Sequence, residues 1–269
     1  MTASLDQIRR HWDAQAFLGE KAGTQDLIAK ELEQRAILAQ IDSRDLGAYR
    51  PTPTPTRYRV SRILEVGCGR GDTARRVWEL VPVAKVVAVD ASAAMIEAAH
   101  RLALDCSGGL SFGVCDAIDP PPGPFDLIYT QRCLINLPTW ELQKQAIDAI
   151  ADRLVSGGRF LMCEASQNGL DAINERRVGL GLSAIERPWH NRYIRQHEIS
   201  TITSLRLREV QNFSATYYYN SRIANAYQAQ AKGEQPDYDA PINRMALKQP
   251  ADDVHPKYAQ SRLWVWEKP

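Results

Sequence analysis

The stretch from Ile63 to Thr73, ILEVGCGRGDT, constrains this chain more than any other. Ile63, Leu64 and Val66 read as a buried strand, and Gly67, Gly69 and Gly71 follow where the backbone must turn tightly beneath something bound close to it. Asp72 and Thr73 are helix-start residues, and the helix they open runs to about Leu80, ahead of Pro82. Strand, glycine loop and helix in this order make a nucleotide-binding α/β unit.

A second strand, Val83 to Val89, ends in Asp90. An acid at that strand tip, about 20 residues beyond the glycines, is placed to accept hydrogen bonds from both ribose hydroxyls of an adenosine. NAD and S-adenosylmethionine satisfy that geometry equally. Glu65, inside the first strand, separates them, because a carboxylate there repels a pyrophosphate but suits an α-ammonium and a sulfonium. The residues therefore favour S-adenosylmethionine.

On EVGCGRG, VVAVDAS with Met95 and Ile96, FGVCDA with Asp116, FDLIYTQRCL and LVSGGRFLMCEAS, the chain resembles the class I S-adenosylmethionine-dependent methyltransferases. The resemblance implies that Gly67 and Gly69 face the methionine and ribose and that Asp90 takes the ribose hydroxyls. It further implies that Asp116 takes the adenine amino group and that Thr130, Gln131 and Arg132 stand at the methionyl end. Glu65, Cys68, Ala91, Met95 and Ala117 would complete the cofactor site, with Trp12 on a helix laid over it. Through HWDAQA, LINLPTWELQ, PWHN and PINRMA the chain also resembles a bacterial subgroup of this class, expected to act on small molecules.

Residues 1 to about 47 read as helical, with Leu27, Ile28, Leu32, Ile37, Leu38 and Ile41 at three- and four-residue spacings. They predict an N-terminal arm or lid over 1–50, joined by the stiff connector PTPTPT to a core over 51–269. Strands expected near 62–66, 83–89, 110–114, 125–130 and 159–164 alternate with helices near 72–81, 92–104 and 139–155. That alternation gives an α/β fold, a doubly wound and mostly parallel sheet. A helix near 196–206, a strand near 209–219 and a last strand from Arg262 to Lys268 complete a seven-stranded Rossmann-like sheet with an antiparallel edge. Insertions at about 166–195 and 220–261, with the arm, form a helical cap at the rim where such sheets bind ligands.

His190, in PWHNRY, is the leading candidate base, with Trp189, Asn191 and Tyr193 as substrate contacts and a loop-tying histidine as the structural alternative. Its titration is expected near the ordinary histidine value of about 6.5. His11 is a second candidate base. Glu164, ending the fifth strand, is a catalytic candidate against a capping or salt-bridged role. Arg132 is placed to clamp a carboxylate of the methionine or of the substrate, against a structural ion pair. Tyr217, Tyr218 and Tyr219 alternate faces on the expected strand, so that at least one ring packs in the core, and Tyr218 is the candidate phenol to face substrate. His100, His197 and His255 read as surface residues, and Arg57, Arg59 and Arg62 as a solvated edge.

A net charge of +1 gives no reason to expect nucleic acid, and the acidic-aromatic tetrad of amino-methylating DNA enzymes is replaced by TQRC. Five cysteines without paired spacing suggest reduced thiols, hence a cytoplasmic protein, and no cluster is spaced for a metal. Asp6 and Arg9 argue against a signal peptide, and no apolar run approaches membrane-spanning length. A homodimer is left open. The expected function is S-adenosylmethionine-dependent methyl transfer to a small polar metabolite, at a hydroxyl oxygen, in natural-product or surface-sugar biosynthesis. The alternatives are a small-molecule N-methyltransferase, an RNA or protein methyltransferase, and a non-catalytic S-adenosylmethionine-binding protein.

Overall fold

A computed structural model describes residues 3–45, 62–82, 84–104, 106, 108–248 and 256–269. The connector PTPTPT, Val83, Arg57, Arg59 and His255 lie outside these residues. Apolar runs place five strands in parallel: β1 (Arg62–Val66), β2 (Lys85–Asp90), β3 (Leu110–Val114), β4 (Phe125–Gln131) and β5 (Leu154–Ala165). The sheet order is β3-β2-β1-β4-β5-β7-β6, in which β7 (Ser261–Glu267) runs antiparallel to both β5 and β6 (Arg206–Gln211). The chain steps outward from β1 and returns at β4. This reversal opens the crevice at which α/β sheets bind ligands.

Helix α1 (Leu5–Gln15) begins with a capping box between Ser4 and Gln7 and buries only Ile8. Helices α2 (Leu27–Asp45), α3 (Asp72–Leu80) and α4 (Ala93–Leu102) cover one face of the sheet, and α5 (Trp140–Arg153), α6 (Gln167–Gly179) and α7 (Gln196–Ile199) the other. Ile37 and Ile41 of α2 are fully buried with Ile63, Leu127, Leu161 and Val265. The expected arm is thus two different things: α2 belongs to the core, and α1 lies over the crevice.

The largest departure is at the tyrosine run. β6 stops at Gln211, and Tyr217–Tyr219 fall in α8 (Ala215–Tyr219), which continues through a π-helical turn (Asn220–Ala224) into α9 (Asn225–Lys232). Tyr217 and Tyr218 are both buried, with Tyr217 donating to Asp26 Oδ1 at 2.5 Å and Tyr218 paired with Ser261 Oγ at 3.1 Å. Adjacent residues on a strand point to opposite faces, whereas on a helix they can share a buried side, so this packing requires a helix. The helix expected near 196–206 is the single turn of α7, and the insertion at 166–195 opens directly as α6. A last short helix, α10 (Pro241–Met245), precedes β7. Among the described residues no helix is long and apolar enough to cross a membrane.

These packings separate the roles of α1 and α2 by stability. Ile41→Ala is expected to cost about 2–5 kcal/mol in chemical denaturation, as for other fully buried aliphatic truncations. A chain beginning at Gly23 is expected to keep one cooperative transition.

Candidate functional site

A cavity of about 600 Å³ opens at the carboxyl ends of the strands, beneath α1 and the loop at 185–193 between α6 and α7. Its floor is the glycine loop. Gly67 N and Cys68 N both donate to Val89 O, at 2.8 and 2.9 Å, folding the loop onto β2. Gly67 has φ 77°, and a Cβ there would lie 2.3 Å from Cys133 Sγ. Gly69, at φ 54°, would meet no atom within 4 Å, so packing does not demand glycine there but the backbone does. Gly69 N donates to Asp90 Oδ2 at 2.8 Å, and Ser92 N to Asp90 Oδ1 at 2.9 Å. These bonds fix the carboxylate at the tip of β2. Ala91, Met95, Asp116 and Ala117 line the same end, with Asp116 Oδ1 accepting from Ile118 N at 3.1 Å.

Glu65, Asp72 and Asp90 give this floor an acidic character. Burial pushes the Glu65 carboxyl up to about 8, with Asp72 and Asp90 adding to it while the Tyr129 hydroxyl, donating at 3.0 Å, opposes it. Asp72 pairs with Lys30 at 2.7 Å and with Arg70 Nε at 3.3 Å, and both cations line the cavity. Thr73 does not cap α3. Its hydroxyl accepts from Gln34 Nε2 at 2.9 Å and donates to Gln131 Oε1 at 2.7 Å.

At the exit of β4, Gln131 and Arg132 line the cavity, whereas Thr130 is fully buried and does not. Arg132 has φ 51°, the one non-glycine residue in the left-handed region among the described residues. It is held by its own N–H on Cys163 O (2.9 Å), by Asn136 Nδ2 on its carbonyl (2.8 Å) and by Nε against Glu33 (3.2 Å). Glu33 itself escaped the sequence reading, because its period merely marks it as one polar position in α2. Glu164 corrects an expectation: it lies outside the cavity, fully buried, and accepts from the backbone N–H groups of Cys133, Leu134 and Ile135 at 3.0–3.3 Å. Burial holds its carboxyl up at about 7. It caps the 3₁₀ turn after β4 and has no route to a ligand.

The lid is aromatic. His11 stacks on His190 with centroids 4.3 Å apart, and Trp12 meets His190 edge-on at 5.3 Å. His11, Trp12 and His190 line the cavity, and Trp12 Nε1 and His190 Nδ1 are buried without a hydrogen-bond partner among the described residues. Burial, and then the neighbouring His11, lower His190 to about 4, which replaces the ordinary value expected from sequence. Burial also lowers His11. Trp189 corrects a second expectation, since it is 59% exposed and packs on the outer side of the two imidazoles rather than lining the cavity. Asn191 lines it while donating to Asn136 Oδ1 at 2.9 Å. Tyr193 and Tyr218 line it too, joined by Arg222, Tyr238 and Gln260, which the sequence did not single out.

Residues 63–158 match the family model described as a methyltransferase domain. Among solved structures, the chain is similar to the N-methyltransferase NodS from Bradyrhizobium japonicum in complex with S-adenosylhomocysteine, at 15% identity over 97% of this chain and 98% of that one, TM-score 0.56. It is similar to geranyl diphosphate C-methyltransferase from Streptomyces coelicolor at 13% identity, over 87% and 76%, TM-score 0.52. It is also similar to the cyclase SpnF at 19% identity, over 88% and 80%, TM-score 0.54. No curated protein matches the sequence. Residues 63–158 thus carry a methyltransferase domain, set in a seven-stranded sheet whose fold these structures share.

The acidic floor makes binding pH-dependent. With Glu65 near 8, the carboxyl is protonated at neutral pH. A cation placed beside it favours the ionised form and expels the proton. S-adenosylmethionine should therefore bind more tightly as pH rises from 6 toward 8, releasing up to one proton. Calorimetry in buffers of different ionisation enthalpy reads that proton, and Glu65→Gln should abolish it.

Proposed function

We propose that the cavity binds S-adenosylmethionine over β1, β2 and β3 and methylates a small polar acceptor, at a hydroxyl oxygen, within a biosynthetic pathway. The observation that carries this reading is the pair of carboxyls Glu65 and Asp90 beside the glycine loop: a cation placed there drives Glu65 to its ionised form, whereas a pyrophosphate would gain nothing from either group. In this arrangement Asp90 takes the ribose hydroxyls and Asp116 the adenine amino group. Lys30 and Arg70 stand where a methionyl carboxylate lies, and Arg70 Nε has its ion pair with Asp72 but no hydrogen bond of its own among the described residues. Gly69 leaves the backbone open to close approach.

Bound S-adenosylmethionine supplies an activated methyl group that an acceptor oxygen takes as the carbon–sulfur bond breaks. The chain's own contribution is alignment and proton removal. His190, uncharged at neutral pH, accepts the hydrogen bond of the acceptor hydroxyl and takes its proton. His11 supports it by stacking, and Trp12 closes the site from α1. An amine acceptor is the second reading, because an unprotonated amine needs no base.

S-adenosylmethionine and S-adenosylhomocysteine are expected to raise the melting temperature, and NAD and NADP to leave it unchanged. Asp90→Ala should weaken S-adenosylhomocysteine about tenfold or more, since charged hydrogen bonds are worth roughly 1.5–3 kcal/mol. Stabilisation by NAD alone would overturn the cofactor reading.

His190→Ala should lower turnover about 100-fold with near-normal cofactor affinity, a usual size for general base catalysis. With His190 near 4, the wild-type rate should show no histidine limb between pH 6 and 8. An unchanged rate in the variant would favour the amine.

A further inference from the structure

The strand order divides the cavity rim in two. The glycine loop, Asp90 and Asp116 stand at the ends of β1, β2 and β3, and the rest of the rim lies over β4, β5 and the start of β7. That second half carries Arg132, Tyr193, Arg222 and Gln260. We propose that it is a carboxylate-recognition subsite, and that the methyl acceptor is a small molecule whose carboxylate is held by Arg132 and Tyr193. This rests on the cofactor reading for the first half and is independent of the role of His190.

Arg132 is the first reason. Its left-handed backbone is fastened by three bonds, yet only Nε of its guanidinium is committed, to Glu33. Its two amino groups make no hydrogen bond among the described residues, although the side chain is only 24% exposed. Such a fork matches a carboxylate in two parallel hydrogen bonds, and a neutral acceptor would leave its donors desolvated and unpaired.

Tyr193 is the second. Its hydroxyl accepts from Gln260 Nε2 at 3.4 Å and so retains its own proton to donate into the cavity. After burial and the Gln260 bond, the groups that act most on that oxygen are Arg132, Arg187 and Arg222, all cations. The buried carboxylates nearby are spent, Glu33 on Gln131, Arg132 and Ser261, and Asp26 on Tyr217 and Arg222; Glu186, which also lines the cavity, is exposed. On the proposed cofactor reading the methionyl carboxylate falls to Lys30 and Arg70, two cations beside the glycine loop that share the single carboxylate of Asp72.

The test is calorimetry on the full chain, with and without S-adenosylhomocysteine, using acetate, benzoate and 4-hydroxybenzoate, each paired with its neutral amide. Each acid is expected to bind about tenfold or more tightly than its amide, the size of one charge-assisted hydrogen bond. Arg132→Gln should erase that preference, and Tyr193→Phe, which keeps the ring packing, should reduce it several-fold. Arg132→Lys preserves the ion pair with Glu33 but not the fork, and should recover only part of it. S-adenosylhomocysteine affinity should stay within about threefold in all three variants, given that its carboxylate is assigned to other cations. The absence of any acid preference in the wild type, including failure of every probe to bind, would overturn the proposal. So would a preference that survives Arg132→Gln while S-adenosylhomocysteine affinity collapses, which would put the methionyl carboxylate on Arg132. Failure of the wild type to bind S-adenosylhomocysteine while acids still outbind amides would count against the cofactor reading alone.

Discussion

The site depends on one buried carboxylate. Glu33, fully buried in α2, accepts from Gln131 Nε2 at 2.9 Å and Ser261 Oγ at 2.8 Å, and pairs with Arg132 Nε at 3.2 Å. An unpaired charge in such surroundings would cost several kcal/mol, so the three partners hold their positions as a set. From Gln131 the chain of bonds continues to Thr73 and Gln34, reaching the helix that follows the glycine loop. From Ser261 it continues to Tyr218 and Ser214. The two halves of the cavity rim are therefore registered against each other by α2, which is why that helix cannot be a detachable lid.

A second carboxylate repeats the arrangement nearer the surface. Asp26 caps the start of α2 through Ala29 N at 2.9 Å, and it also receives Tyr217 and Arg222 from the helical insertion. The insertion is thereby fastened to α2 as well as, through Tyr218 and Ser261, to the start of β7. By contrast α1 is held through few ties, chiefly Ser92 Oγ on Asp13 at 2.6 Å and the stack of His11 on His190. An element with one buried apolar residue and few hydrogen bonds is the one that opens at lowest free-energy cost.

What the sequence revealed was local. The glycine loop, Glu65 and Asp90 lie within one strand–helix–strand unit, where residue type and spacing carry the geometry. Glu33 meets partners 98 and 228 positions away, and no periodicity in α2 distinguishes a buried carboxylate from a solvated one. The tyrosine run failed for a related reason: aromatic residues favour strands locally, but burying Tyr217 and Tyr218 together against Ile28 and Ala29 required a helix. Glu164 and Trp189 were placed correctly along the chain and wrongly in space. The first turns inward to cap a 3₁₀ turn, and the second packs on the outside of the imidazole pair.

The charge pattern of the cavity also orders events at the lid. Carboxylates lie beneath the glycine loop, and uncharged imidazoles lie above it. A cationic ligand drawn to the floor by Glu65, Asp72 and Asp90 would raise the cost of charging His11 or His190 still further, because like charges in a confined site repel. On the proposed reading His190 would meet an acceptor hydroxyl unprotonated, without a carboxylate partner among the described residues to orient it. The weakness of such a base suits an acceptor whose hydroxyl is already acidic, or an amine, and places most of the catalytic demand on alignment rather than on proton transfer.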